Sequence, residues 1–187
     1  EAIRLIFKYL PASYEKGAKD IRAREKMHNA STLAGMAFAN SMLGVCHSMA
    51  HNLGGIHHVP HGLANALLIN HTIRFNATDS PVKMAPFPQY KYPDARSRYA
   101  RIADHLKLGG NTTDEKIENL IAAIEQLKKS VGIPATIAEA GVPKDEFYAR
   151  LDEMSELSFD DQCTGANPRY PLIAELKGLF IDAYEGK

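Results

Sequence analysis

Between Lys26 and Arg74 the chain carries no Asp, Glu, Lys or Arg: residues 27 to 73 are 47 consecutive positions without a formal charge. Few folds can solvate such a stretch, so most of it is expected to be buried. A membrane span is the first alternative, but Asn40, Ser41, His47, Ser48, His51 and Asn52 interrupt every window, and no run reaches the ~18 clean apolar residues a span requires. Buried helices of a globular protein fit better. The same window holds His28, His47, His51, His57, His58, His61 and His71, seven of the eight histidines.

Outside this window the sequence is ordinary. Twenty-two basic and 22 acidic residues give a net charge of zero, and no block of like charge forms the footprint of a nucleic-acid or anionic-membrane binder. Two cysteines, Cys46 and Cys163, cannot make a disulfide framework, and no signal-like segment opens the chain, so a cytosolic, reduced setting is expected. Beginning at Glu1, inside an apparent helix, the sequence is read as a fragment of a longer protein.

Helical periodicity dominates, and no alternation of period two is present. Ile3, Ile6 and Leu10 predict a helix that stops at Pro11. From about Lys19 to Leu53 a long helical stretch, rich in small residues, reads as one or two central helices ended by Gly54-Gly55. Pro60 precedes a helix over about 62–75. The prolines at 81, 86, 88 and 93 predict a loop or excursion, followed by a helix over about 94–106. Thr113 is the expected cap of a helix with an apolar stripe (Ile117, Leu120, Ile121, Ile124, Leu127 and Val131), and shorter helices are expected after Pro134, Pro143 and Pro171. The fold class is therefore all-α, with eight or nine helices.

The chemistry concentrates in CHSMAHNLGGIHHVPHG, residues 46 to 62. His47 and His51 are spaced i,i+4, which puts two imidazoles on one helix face. After the Gly-Gly break, His61 opens the next helix, so a third imidazole can meet the pair from an antiparallel neighbour. Neutral imidazole is a common ligand of zinc and ferrous iron, and such a site with an open position suits Lewis-acid chemistry. The segment contains no carboxylate, so three imidazoles specify a metal site only in part. An i,i+4 histidine pair can equally be plain packing.

GVCHSMAHNLGGIHHVPHGLANALLINHTIRFN (44–76), YLPASYEKG (9–17), YPDARSRYARIADHL (92–106) and FDDQCTGANPRYPLIAELK (159–177) together resemble the iron-dependent alcohol dehydrogenases. The likeness is strongest to the alcohol dehydrogenase half of the bifunctional aldehyde-alcohol dehydrogenases and runs along almost the whole chain. It implies that residues 1–187 are a C-terminal helical domain of the iron-containing alcohol dehydrogenase / dehydroquinate synthase-like fold. The N-terminal α/β domain that binds NAD(H) would lie outside this chain. It implies Fe2+, or Zn2+ in its place, held by one Asp and three His: His47 and His61 match two of the histidines, and the other two ligands belong to an Asp-x-x-x-His motif upstream of Glu1.

The family pattern places His51 beside the nicotinamide as a proton-relay or cofactor-contacting residue, off the metal. Phe38, Leu43 and Cys163 match substrate-pocket positions, and Cys163 is expected to be a wall residue with no cationic neighbour. Asn167-Pro168-Arg169 is expected to fix the backbone near the cleft. His57, His58 and His71 are expected to be structural or to back the ligands, His58 foremost. The implied activity is NADH-dependent reduction of acetaldehyde or another short aldehyde. The implied partners are that substrate and further copies of the full-length protein in an oligomer or filament, with neither nucleic acid nor membrane. A glycerol-dehydrogenase-like polyol oxidoreductase and a non-catalytic helical metal-binding module are the competing readings.

Overall fold

The computed structural model describes residues 1–78 and 94–187. The helices are α1 (Ala2–Lys16), α2 (Ile21–Ser41), α3 (Val45–His57), α4 (His61–Asn76), α5 (Ala95–Leu106), α6 (Thr113–Ser130), α7 (Lys144–Asp160) and α8 (Ile173–Glu185), with single 3-10 turns at Gly17–Lys19 and Thr164–Ala166. Among the described residues there is no β-strand, as the all-α reading expects. The proline-rich segment expected to be a loop lies for the most part outside the described residues.

The core is built where the uncharged window supplies apolar side chains at helical spacing. Val45, Met49 and Leu53 of α3 and Leu67 and Leu68 of α4 pack with Phe147 and Met154 of α7 and with Leu176 and Phe180 of α8; all nine are at most 1% exposed. Each such side chain contributes about 1.5–3 kcal/mol by leaving water. A smaller cluster of Ile73, Ile117 and Ile121, flanked by Ile69, Tyr99 and Ile124, ties α4 to α5 and α6. The apolar stripe expected on α6 thus finds its partner.

Several expected boundaries move. The first helix continues through Pro11 to Lys16. Proline deprives the Phe7 carbonyl of its partner but its φ is helical, and the packing of α1 on α2 carries the helix past the gap. The long stretch breaks at Met42-Leu43-Gly44, with Met42 at φ 61°, while α3 runs through Gly54-Gly55 and ends at His58, which is left-handed at φ 58°. Gly54 serves close approach instead of termination, since a Cβ there would lie 3.0 Å from the Val59 carbonyl oxygen as the chain folds back.

Thr112, not Thr113, caps α6. Its hydroxyl accepts the Glu115 N–H at 3.2 Å, and the Glu115 carboxylate returns to the Thr112 N–H. Turns, not a helix, follow Pro134, and the helix after Pro143 is long, Lys144–Asp160. Finally, only the α3 half of the long stretch is central. Within α2, Ala23 and Ala30 are buried whereas Met36 and Phe38 are 62% and 48% exposed.

Candidate metal centre

A polar latch sets the start of α3. The Gly44 carbonyl accepts the His47 N–H at 2.9 Å, and the Val45 N–H, which no residue within the helix can satisfy, is taken by the Asn167 Oδ1 at 3.2 Å. Asn167 also pairs amide to amide with Asn76 at the end of α4, donating to its Oδ1 at 2.7 Å. Arg169 lies 4.0 Å from the Phe75 ring centroid and donates to the Phe75 carbonyl. The expectation that residues 167–169 fix the backbone has this physical form. A second seam of hydroxyls holds the middle of α3: Thr164 Oγ1 donates to the Ser158 carbonyl at 2.6 Å and pairs with the Ser48 hydroxyl at 2.7 Å, and the Asn52 amide donates to the Ser48 carbonyl and to Ser158 of α7.

On this fixed helix His47 and His51 face His61, the first residue of α4. Ring centroids are 5.4 Å apart for His47 and His61, 5.5 Å for His51 and His61, and 6.1 Å for His47 and His51. Two imidazoles bound to one tetrahedral ion through nitrogens at about 2.0–2.1 Å have centroids roughly 5 Å apart. The pair across the helices meets this spacing better than the pair along α3. Orientation separates the candidates further. The His47 and His61 planes are tilted by 52°, whereas the His51 and His61 rings are stacked at 21°. Burial, then the neighbouring His61 and His51, lower the His47 pKa against the opposing pull of Asp161, which favours the neutral, ligating form. The Asn65 amide sits 3.1 Å from His61 Nε2, where an incoming ion would displace it.

His51 has a different partner. Its Nδ1 is 2.9 Å from Asp161 Oδ2, and the other carboxylate oxygen, Oδ1, accepts the Cys163 N–H at 2.8 Å. Burial tends to raise the Asp161 pKa, but these two hydrogen bonds outweigh it and hold the carboxyl below its ordinary value. Donor atoms of His51, Asp161 and Cys163 all lie within 4.8 Å of one another, so this trio too could hold an ion. The Cys163 thiol is pushed up to about 11 by burial and by Asp161. A neutral wall residue is what this predicts, although His51 is a spatial neighbour that its sequence surroundings do not reveal.

An open depression of about 470 Å³ is lined by Ala50, His51, Gly54, His58, Val59 and His61. Leu43 lines a different cleft of about 550 Å³, with Gly44, Tyr99, Ile102 and Asn167. Phe38 stands on the exposed end of α2, and Cys163 is buried beside Asp161. The three substrate-pocket candidates therefore occupy three separate settings within these residues. His58 lines the depression, whereas the half-buried His57 packs against the Phe147 ring and His71 lies among Asp182, Lys128, Arg74 and Glu125. Asp161, Ser48 and Asn76 carry site geometry that spacing along the sequence does not signal, because each acts across elements.

This helical domain, with imidazoles gathered at the junction of two antiparallel helices, defines a class. The chain belongs to the Fe-containing alcohol dehydrogenase family, whose C-terminal part it matches over residues 1–184. Among individual proteins it is 59% identical over 99% of its length to the aldehyde-alcohol dehydrogenase of Clostridium acetobutylicum, and 58% identical over its full length to the bifunctional aldehyde-alcohol dehydrogenase AdhE of Escherichia coli K12. It spans 22% and 21% of those two proteins. Among solved structures, a 1,3-propanediol oxidoreductase superposes with a TM-score of 0.82 at 34% identity, covering 98% of this chain and 43% of that one. An iron-containing alcohol dehydrogenase from Thermococcus thioreducens does so at 0.79 and 34%, covering 100% and 43%. Among the described residues no helix is long and apolar enough to cross a membrane.

Proposed function

We propose that this chain is the metal- and substrate-binding helical part of an NAD(H)-dependent alcohol dehydrogenase that reduces acetaldehyde or another short aldehyde. The reading rests above all on the approach of His47 and His61 to 5.4 Å with their rings tilted by 52°. His47 and His61 supply two donors to a divalent ion, iron or in its place zinc. A carboxylate and a third imidazole come from an Asp-x-x-x-His helix outside residues 1–187, and NAD(H) is held mainly by an α/β domain that is also outside them. When bound, the ion supplies Lewis-acid polarisation of the carbonyl and the nicotinamide supplies the hydride.

The residues of this chain have narrower tasks. The latch around Asn167 and the hydroxyl seam at Ser48 hold α3 so that His47 meets His61 without reorganisation. His51, stacked beside His61 and bonded to Asp161, takes up a proton at Nε2 from solvent and passes it to the carbonyl oxygen as the aldehyde is reduced, directly or through a ribose hydroxyl of the cofactor.

The test uses the intact enzyme. His47→Ala or His61→Ala should strip the metal and abolish NADH-dependent aldehyde reduction, while His51→Ala should keep the metal and lower the rate. Metal loss in the His51 variant would place that residue among the ligands and overturn the assignment.

A further inference from the structure

Asp161 stands at the first position after α7, where the helix has ended and the chain turns toward the 3-10 turn at Thr164–Ala166. Its carboxylate is committed on both oxygens. Oδ1 accepts the Cys163 backbone N–H at 2.8 Å, and Oδ2 faces His51 Nδ1 at 2.9 Å. An ionised carboxylate only accepts hydrogen bonds, so the imidazole nitrogen facing it carries the proton. The nitrogen on the opposite edge of the ring, Nε2, is then left with its lone pair. The His51 side chain is 36% exposed and lines the depression shared with His61.

We propose that Asp161 is a positioning residue that holds His51 in the Nδ1–H tautomer, leaving Nε2 as the proton-accepting atom at the cleft. This rests on the proton-relay reading of His51 for its consequence in turnover, but the tautomer itself does not depend on that reading. The Cys163 N–H makes the arrangement directional. A backbone donor fixed on one oxygen requires an acceptor there, so in Asp161→Asn the amide oxygen must stay on Cys163 and the amide NH2 must face His51. His51 Nδ1 then becomes the acceptor and the proton moves to Nε2. An isosteric change that leaves the packing alone thus inverts the tautomer, whereas Asp161→Ala merely releases the ring to exchange between both forms.

Diethyl pyrocarbonate, which acylates an unprotonated imidazole nitrogen, reads this difference residue by residue when modified peptides are mapped by mass spectrometry at about pH 8, where free histidine is neutral. On the intact enzyme as isolated, His51 of the wild type should react at least as fast as the exposed His28 and His105, despite its smaller exposure. In Asp161→Asn its rate relative to His28 and His105 should fall about tenfold, the factor that one charge-assisted hydrogen bond commands. In Asp161→Ala the fall should be much smaller. A wild-type His51 slower than both reference histidines overturns the proposal even if neither variant folds, as do equal rates in wild type and Asp161→Asn, or equal losses in the two variants. Metal content measured on the same samples stays at the wild-type level if His51 is not a ligand. Retention of metal by His47→Ala would count against the metal assignment and leave the tautomer result standing.

Discussion

At the scale of single residues, Gly44 is the tightest point of the site. A Cβ built there would lie 2.5 Å from Asn167 Oδ1, the atom that accepts the Val45 N–H. Gly44→Ala must therefore push Asn167 away, break its pairing with Asn76 and let the first turn of α3 move, three residues before His47. The expected cost is about 1–3 kcal/mol, as for other overpacked positions, with weaker metal retention; thermal unfolding and metal analysis of the purified variant measure both. Unchanged metal content would detach the latch from the site. Family likeness points to residues 167–169 as a backbone-fixing segment, but the contact with Gly44 is not legible in the sequence, where Gly44 is one small residue among many and Asn167 lies 123 positions away. His47 and His61 stand out in the sequence as candidates because their spacing is local and their chemistry distinctive; family likeness prefers them to the i,i+4 partner His51, which spacing alone favours.

At the scale of elements, Gly54-Gly55 separates what a pattern can predict from what it cannot. Two consecutive glycines ordinarily end a helix because they lower its propensity. Here α3 runs through both, and the two have unlike surroundings: a Cβ on Gly54 would sit 3.0 Å from the Val59 carbonyl, while one on Gly55 meets nothing within 4 Å. Gly55→Ala should therefore stabilise the fold by about 0.5–1 kcal/mol, the helix-interior preference for alanine. Gly54→Ala should press on the 58–60 turn, shift His61 at the start of α4 and reduce metal affinity. Denaturant melts and metal titration of the pair discriminate these outcomes, and equal behaviour would deny the turn its role in placing His61. The helix through Pro11 was missed for a related reason, since the contact of α1 with α2 is a tertiary fact and no local signal announces it. By contrast, the α6 stripe follows from periodicity, because that helix buries one face against α4, and the position of α4 follows from the Pro60 boundary signal.

At the scale of the whole molecule, the uncharged window does two jobs that its composition does not separate. Its second half, α3 and α4, supplies much of the core, while its first half lies on α2 and the break after it with Met36, Phe38 and Met42 exposed, so the absence of charge marks burial only where helices on both sides supply partners. Its histidines also give the fold a pH dependence of definite sign. Burial first, and then nearby cations, lower the pKa values of His57 and His71, which face Glu146 and Arg150, and Asp182, Lys128, Arg74 and Glu125, respectively. Below about pH 6.5, the ordinary histidine value, the unfolded chain takes up protons that the folded one resists. Stability linked to these rings is thus fully present above that pH and is lost as the pH falls toward their depressed folded values. Asp161 titrates in a separate and lower window, since its folded pKa lies below the ordinary 3.8 and its contribution is lost only as the pH falls through that value. The melting temperature of the metal-free protein should accordingly decline between about pH 7 and pH 5, and the slope should flatten in His71→Leu, which removes a titrating ring from a half-buried place without removing its apolar contacts. An identical slope in that variant would show that His71 has no share in the acid limb and that any histidine contribution to it comes from other rings, such as His47 or His57.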